Sequence, residues 1–157
     1  MVVNLWHRKQ GLILKQGNSL GIKGLKDVIE KKARFVNRNE GSGTRMLLEY
    51  LLKEKGWDNK EITSFANEVN THLGVALKIF FGEADAGLGI EYVAHLFSLD
   101  FVPLKEERFD LVVPRELWST KVIQGLIAYI DPVQISRLSR TLPGYNLKDT
   151  GKIIFES

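Results

Sequence analysis

One stretch in the first third of the chain, Arg38-Asn39-Glu40-Gly41-Ser42-Gly43-Thr44-Arg45, holds the residue types that receive a small anion. A short apolar run, Arg34-Phe35-Val36-Asn37, reads as a strand before it, and a helical pattern follows from Thr44. The first amides of a helix have no internal acceptor and lie at the positive end of its dipole. Glycines let a ligand approach the backbone, and the Ser42 and Thr44 hydroxyls stand beside the amides, so an oxyanion suits the place. Arg45 falls in the first helical turn, where a cation costs roughly 0.3–1 kcal/mol unless something negative is near. Arg38 adds a second positive charge, and Glu40 can cancel only one of the two. The competing reading makes Ser42 a plain N-cap, the glycines a tight turn and the arginines solvated.

Other chemistry finds less support. A phosphate loop needs a Gly-Lys pair before its Ser or Thr, and none is present here. Gly87-Leu88-Gly89-Ile90-Glu91-Tyr92 follows a strand and opens a helix, but Tyr92 stands where a dinucleotide fingerprint requires glycine. Close helix–strand packing is the preferred reading of those glycines. Asn70-Thr71-His72 starts another helix, with Thr71 or Asn70 as its cap. His72 is either a satisfied, half-buried histidine or a group facing a ligand in a cleft. Asp85, among small apolar neighbours, can cap or bind but has no evident partner for acid–base work. The chain has no cysteine, and its three histidines, His7, His72 and His95, lie far apart, so no disulfide, thiol nucleophile or zinc site is expected.

The elements that must position these groups follow from the hydrophobic pattern. Val2–Trp6 and Gly11–Leu14 read as extended segments ended by a turn, and Ile22–Ile29 as a helical turn. From Thr44 to Lys55, Leu47, Leu48, Leu51 and Leu52 form one apolar face, with Glu49 and Lys53 paired outside and Gly56 as the stop. A second helix fits Thr71–Phe81, with Leu73, Ala76, Leu77 and Phe80 as its buried side. Ala84–Gly87 reads as a strand and Ile90–Phe97 as a helix. Phe101–Leu104 and Phe109–Val113 read as two strands around a charged turn, Lys105–Arg108. Helices over Thr120–Ile130 and Pro132–Leu142 and an extended Lys152–Phe155 complete the chain. Alternating strands and helices predict an α/β fold with a mostly parallel sheet.

The chain has 157 residues, 44% of them hydrophobic and 26% charged, which fits a globular protein with one substantial core. Net charge is +3, yet residues 1–60 carry +7 and the remainder −4, a field that favours an anionic partner near the first third. Aromatic residues are not interleaved with Lys and Arg, so nucleic acid is not an expected partner. No signal peptide and no long apolar run are read, which leads to the expectation of a cytoplasmic protein away from membranes.

Together these residues resemble a known family. Phe35-Val-Asn-Arg-Asn-Glu-Gly-Ser-Gly-Thr-Arg-Met-Leu-Leu-Glu-Tyr-Leu-Leu52, Thr71-His72 followed by Gly82-Glu-Ala-Asp-Ala-Gly-Leu-Gly-Ile90, and Asp100–Glu116 are similar to signatures of the periplasmic-binding-protein-like domain related to molybdate-binding proteins. The segments Asn4–Leu12 and Gly17-Asn18 to Gly24-Leu25 also fit, so the resemblance covers nearly the whole chain in order. It implies a type II solute-binding architecture, with two α/β lobes joined by crossing strands and the ligand between them. The expected partition is a single domain over 1–157. It divides into a first crossing over 1–19, a second lobe over 20–104, and a return crossing with C-terminal helices over 105–157.

The first-lobe segment of the family is expected to be absent. A lone lobe would expose apolar surface, which implies a homo-oligomer or a separately encoded first lobe as partner. The resemblance further implies Ser42, Gly43, Thr44 and Arg45 at one helix start and Thr71 and His72 at another, with Arg8 and Gln10 on the crossing strand and Asp85 lining or bracing the site. The implied ligand is molybdate or tungstate, with sulfate or phosphate as related oxyanions. No other cofactor is expected, and the link is to molybdenum and molybdopterin metabolism. The reading is non-enzymatic binding. Its alternatives are a regulatory or interaction subunit with a vestigial cleft and an accessory protein of molybdopterin assembly.

Overall fold

Strands and helices alternate through the first two thirds of the chain. The order is β1 (Val2–Leu14), α1 (Leu25–Glu30), β2 (Phe35–Arg38), α2 (Gly43–Glu54), a 3-10 turn (Asn59–Glu61), β3 (Glu68–Val69), α3 (His72–Phe80), β4 (Ala86–Ile90) and α4 (Glu91–Leu96). β5 (Asp100–Val112), α5 (Arg115–Trp118), α6 (Lys121–Tyr129), β6 (Tyr145–Asn146) and β7 (Ile153–Phe155) follow. The computed structural model describes residues 1–130, 133, 135, 137 and 141–155, so the helix expected over Pro132–Leu142 falls mostly outside the described residues. Two units form, Gln10–Lys105 and a terminal unit of Met1–Lys9 with Glu106–Ser157, and β1 and β5 contribute residues to both.

In the Gln10–Lys105 unit the strand path is β3-β2-β4-β1-β5. β2 runs parallel to β3 and to β4, with Phe35 opposite Ala86 and Asn37 opposite Glu68. β1 enters antiparallel to β4, Gln10 opposite Ile90 and Leu14 opposite Ala86, so the α/β fold holds while its sheet is mixed. Helical crossovers produce the parallel pairs, whereas β1 arrives from the terminal unit without one. Alternation along the strands feeds two cores. Leu12, Leu14, Phe35, Ala86 and Leu88 pack with Leu25, Val28, Leu48 and Leu52. Ile13 and Val36 pack on the other face with Val75, Ala76, Ile79, Val93 and Ala94. A sheet covered on both sides explains why β4, Ala-Gly-Leu-Gly-Ile, is buried throughout.

Two expectations change here. α3 buries Val75, Ala76 and Ile79, while Leu73 and Phe80 are 46% and 53% exposed. The cause is Gly87. A Cβ there would lie 2.6 Å from Val75 Cγ1, so the missing side chain makes room for the Val75 stripe to settle on β4. Gly87 therefore serves helix–strand packing, as preferred from the sequence. The other change concerns Lys105–Arg108, which continues β5 as strand instead of turning.

Within the terminal unit, Glu106, Glu107 and Arg108 are accommodated because they lie along a strand and find partners there. Glu106 lies 3.3 Å from His7 Nδ1, Glu107 pairs with Arg8, and Arg108 Nε donates to Asp110 at 2.7 Å. β6 and β7 pair antiparallel with β1, His7 opposite Asn146 and Val2 opposite Phe155. Trp6 stacks on Phe109 with centroids 5.0 Å apart and meets Tyr145 edge-on at 6.1 Å. Asn4, fully buried, donates from Nδ2 to Asp110 at 3.0 Å. Among the described residues no helix is long and apolar enough to cross a membrane.

Candidate functional site

Because β2, β3 and β4 run parallel, their C-terminal ends share one edge of the Gln10–Lys105 unit, and α2, α3 and α4 each start from it. Ligands of open α/β sheets bind outside this edge. The loops there are tied together: Arg38 Nη2 donates to the Asn70 carbonyl at 3.0 Å, and the Asn39 amide donates to the Val69 carbonyl at 3.1 Å. The His72 ring packs on β4, its Nδ1 lying 3.7 Å from where a Cβ on Gly89 would sit. Gln10, buried and opposite Ile90, reaches the same edge from β1. Ser42, Gly43, Thr44, Thr71 and His72 are thus brought to one side of the sheet.

The sequence builds two capped helix starts at this edge. Ser42 Oγ accepts from the Arg45 amide at 3.2 Å, and Thr71 Oγ1 accepts from the Gly74 amide at 2.9 Å. Each hydroxyl uses a lone pair in capping and keeps its proton to donate. The amides of Gly43 and Thr44, the first two of α2, have no protein acceptor among the described residues. Gly43 is exposed, and a Cβ on it would meet nothing within 4 Å, so this part of the backbone is open to a ligand. Glu40 is exposed and does not cap the helix. The arrangement can offer amide and hydroxyl donors, backed by a helix dipole, to a compact anion.

Thr44 and Arg45 play other parts. Thr44 is buried at 4% exposure, which turns it away from solvent. Arg45, 9% exposed, donates from Nε to Glu49 at 2.6 Å and from Nη1 to Glu68 at 2.9 Å, and stands 4.0 Å from the centre of the Phe65 ring. The negative groups that a cation in the first turn requires are supplied by the protein itself. Arg45 therefore fastens α2 to β3 instead of reaching a ligand, and Glu49 turns to it and not outward to Lys53.

Asp85 lies at the opposite edge. It precedes β4, whose five residues rise by about 16 Å in all, so it stands a full strand away from the helix starts. There it accepts from the Arg34 amide at 2.9 Å, from Nε at 3.0 Å and from Nη2 at 2.6 Å. These hydrogen bonds hold its carboxyl below the usual aspartate range. Arg8 belongs to the terminal unit, where it pairs with Glu107 and lies 5.5 Å from the Phe109 ring centre. One group at the binding edge escaped the sequence reading. Glu91, half-buried, is the first residue of α4 and sets a carboxylate at that helix start. An acid directly after an apolar strand and ahead of a helical pattern is the signal that marks it.

The chain is 33% identical over 99% of its length to YvgK, an uncharacterized protein of Bacillus subtilis (strain 168), and spans 50% of that protein. It is 31% identical over 71% of its length to an uncharacterized protein encoded 5′ of the ferredoxin 2Fe-2S gene of Clostridium pasteurianum, and covers 99% of it. Among solved structures, L-phospholactate-bound PEB3 is similar, with a TM-score of 0.66 and 24% identity over 92% of this chain and 68% of that one. Residues 1–131 match the PBP superfamily domain. With parallel strands whose helix starts converge on one edge, this chain belongs to the PBP, or periplasmic-binding-protein-like, superfamily.

Proposed function

We propose that the chain is a non-enzymatic binding unit for a small oxyanion received at the start of α2. The amides of Gly43 and Thr44, without an acceptor among the described residues and open on the Gly43 side, carry this reading. The Ser42 hydroxyl proton adds a third donor, and the Thr71 hydroxyl and His72 ring flank the place from α3. Molybdate or tungstate is the ligand class implied by the family resemblance, together with the link to molybdenum and molybdopterin metabolism. The chain spans half of its Bacillus subtilis relative.

Isothermal titration with molybdate, tungstate, sulfate, phosphate and L-phospholactate tests the reading, with Gly43→Pro as the control. Proline is tolerated at the first helical position, and Ser42, at φ −74° and ψ 143°, already has the extended backbone that precedes it. The substitution removes one donor amide and leaves the helix intact. A hydrogen bond to a charged group contributes about 1.5–3 kcal/mol, so affinity should fall about tenfold or more. Silence of the unsubstituted chain toward every anion would overturn the proposal.

The second reading, an interaction module that associates with another copy or with a separate first lobe, draws on one observation. Phe80, Phe81 and Leu96 are 53%, 70% and 54% exposed, and Phe80 lies 5.4 Å from Phe81 and 5.6 Å from Phe97. Clustered exposed aromatic groups favour association. Light scattering that finds a monomer at high concentration would remove the self-association form of this reading.

A further inference from the structure

In the terminal unit, His7 stands between two carboxylates that come from different elements. Its Nδ1 lies 3.3 Å from Oε1 of Glu106 on β5. Its Nε2 lies 3.4 Å from Oδ2 of Asp149, in the segment that joins β6 to β7. The other oxygen of Asp149, Oδ1, accepts from Lys152 Nζ at 2.7 Å, and this hydrogen bond is the main reason why the Asp149 carboxyl sits below the usual aspartate range. Asp149 is therefore charged wherever a histidine titrates, and Lys152 leaves Oδ2 to the ring. The charged neighbours along these elements are Lys9, Lys105 and Lys148, together with Arg8, which pairs with Glu107, and Arg108, which pairs with Asp110. Alternation puts Lys9 on the His7 side of β1 and Arg8 on the other.

We propose that His7, Glu106 and Asp149 form a proton-operated clamp, in which the protonated ring holds the turn between β6 and β7 to β1 and β5, and loss of that proton lets the turn open. The number of ring protons is decisive. An imidazolium has an N–H on both nitrogens and serves a carboxylate at each, whereas a neutral imidazole keeps one N–H and presents a lone pair from the other nitrogen. With a carboxylate at both nitrogens, either neutral tautomer sets that lone pair against a carboxylate oxygen. Histidine changes charge between about pH 5 and 8, so the clamp is complete at the acid end of this range and is lost toward the alkaline end. The element it biases is otherwise lightly held. β6 has two residues, and β7 has three, all of them exposed. The turn itself is fastened by the Thr150 hydroxyl, which donates to the Leu5 carbonyl at 2.6 Å, and by the Gly151 amide, which donates to the Asn4 carbonyl at 2.8 Å. The Asn4 amide returns a bond to the Lys152 carbonyl at 2.9 Å. A small element with little apolar burial is one that a single charge can shift between closed and open. The clamp lies in the terminal unit and is independent of the oxyanion reading.

Amide hydrogen exchange of the full chain, corrected for the intrinsic pH dependence of exchange, reads the turn through the Gly151 and Asn4 amides. Their protection is expected to fall severalfold between about pH 6 and about pH 8. The Asn37 amide, which donates to the Asn67 carbonyl at 2.7 Å in the other unit, should keep its protection. His7→Gln should show the low protection at both pH values, and His7→Arg, charged at both, should show the high one. Asp149→Asn, which leaves β1 unchanged, should shrink the response, so the clamp remains testable where His7→Gln does not fold. Equal protection of Gly151 at the two pH values in the unsubstituted chain would overturn the inference. A parallel loss at Asn37 would make the response global and overturn it too. So would a response that persists in His7→Gln, which would belong to another group, such as the Met1 amine that donates to the Val113 carbonyl at 2.9 Å.

Discussion

The two edges of the parallel strands β2, β3 and β4 differ in how their polar groups are used. At the N-terminal edge Arg34 and Asp85 satisfy each other through three hydrogen bonds. At the C-terminal edge, Ser42 and Thr71 each satisfy one amide and keep a proton, and two amides of α2 have no protein acceptor among the described residues. Both edges carry formal charges that pair within the protein, yet unoccupied donors gather at the second. Recognition of an anion depends on donors that folding leaves unoccupied, and under the proposed function that is what suits the second edge to a ligand.

Substitutions sharpen or break that contrast. The largest effect is expected for Arg45→Met. It removes a buried guanidinium from two carboxylates and a ring, and because Glu49 and Glu68 are about two-fifths exposed the loss is discounted to about 2–3 kcal/mol of stability. Denaturant unfolding measures it. Loss of anion affinity with no loss of stability would instead return Arg45 to the ligand site. Asp85→Ala should cost about 1–2 kcal/mol, from hydrogen bonds to a partly exposed carboxylate, and leave anion titrations unchanged.

The same aspartate gives a pH signature. Its folded carboxyl sits below the ordinary value, so its contribution is fully present above the unfolded pKa of about 3.9 and is lost as pH falls from there through the depressed folded value. Acid titration of the unfolding midpoint should show this limb, and Asp85→Asn should flatten it. The smallest change is expected for Ser42→Gly. Glycine still caps acceptably, so stability should drop by only a few tenths of a kcal/mol. Anion affinity, read by calorimetry, should fall severalfold through the lost hydroxyl proton. An unchanged affinity would remove Ser42 from the site.

Some of this organisation is legible in the sequence and some is not, for physical reasons. The passage from Phe35 through Gly43 into the leucines of α2 declares strand, loop and helix by local rules, and Ser42 and Thr71 are found as caps where expected. Long-range partners carry no local mark. Glu49 is one turn from Arg45, but Glu68 is 23 residues away, so the sequence alone left Arg45 available to a ligand. Strand direction is equally silent, and it alone puts Asp85 on the other edge. The apolar stripe of α3 was ambiguous because Leu73 and Phe80 are as hydrophobic as Val75 and Ile79. Only the absence of a side chain on Gly87 selects between them. Lys105–Arg108 reads as a turn by charge, and becomes strand because His7, Arg8 and Asp110 answer those charges.

The interleaving of Met1–Lys9 with Glu106–Ser157 bears on birth at the ribosome. The segment Gln10–Lys105 is translated roughly 40 residues before β6 begins, and at ~5–20 residues per second that interval lasts several seconds. During it the leading half of β1, Val2–Lys9, waits without β6 and β7, which later pair with it. An apolar edge held open for seconds invites wrong pairing. The nascent chain is therefore most vulnerable just before β6 and β7 are translated, and a chaperone that shields Val2–Lys9 would protect it most.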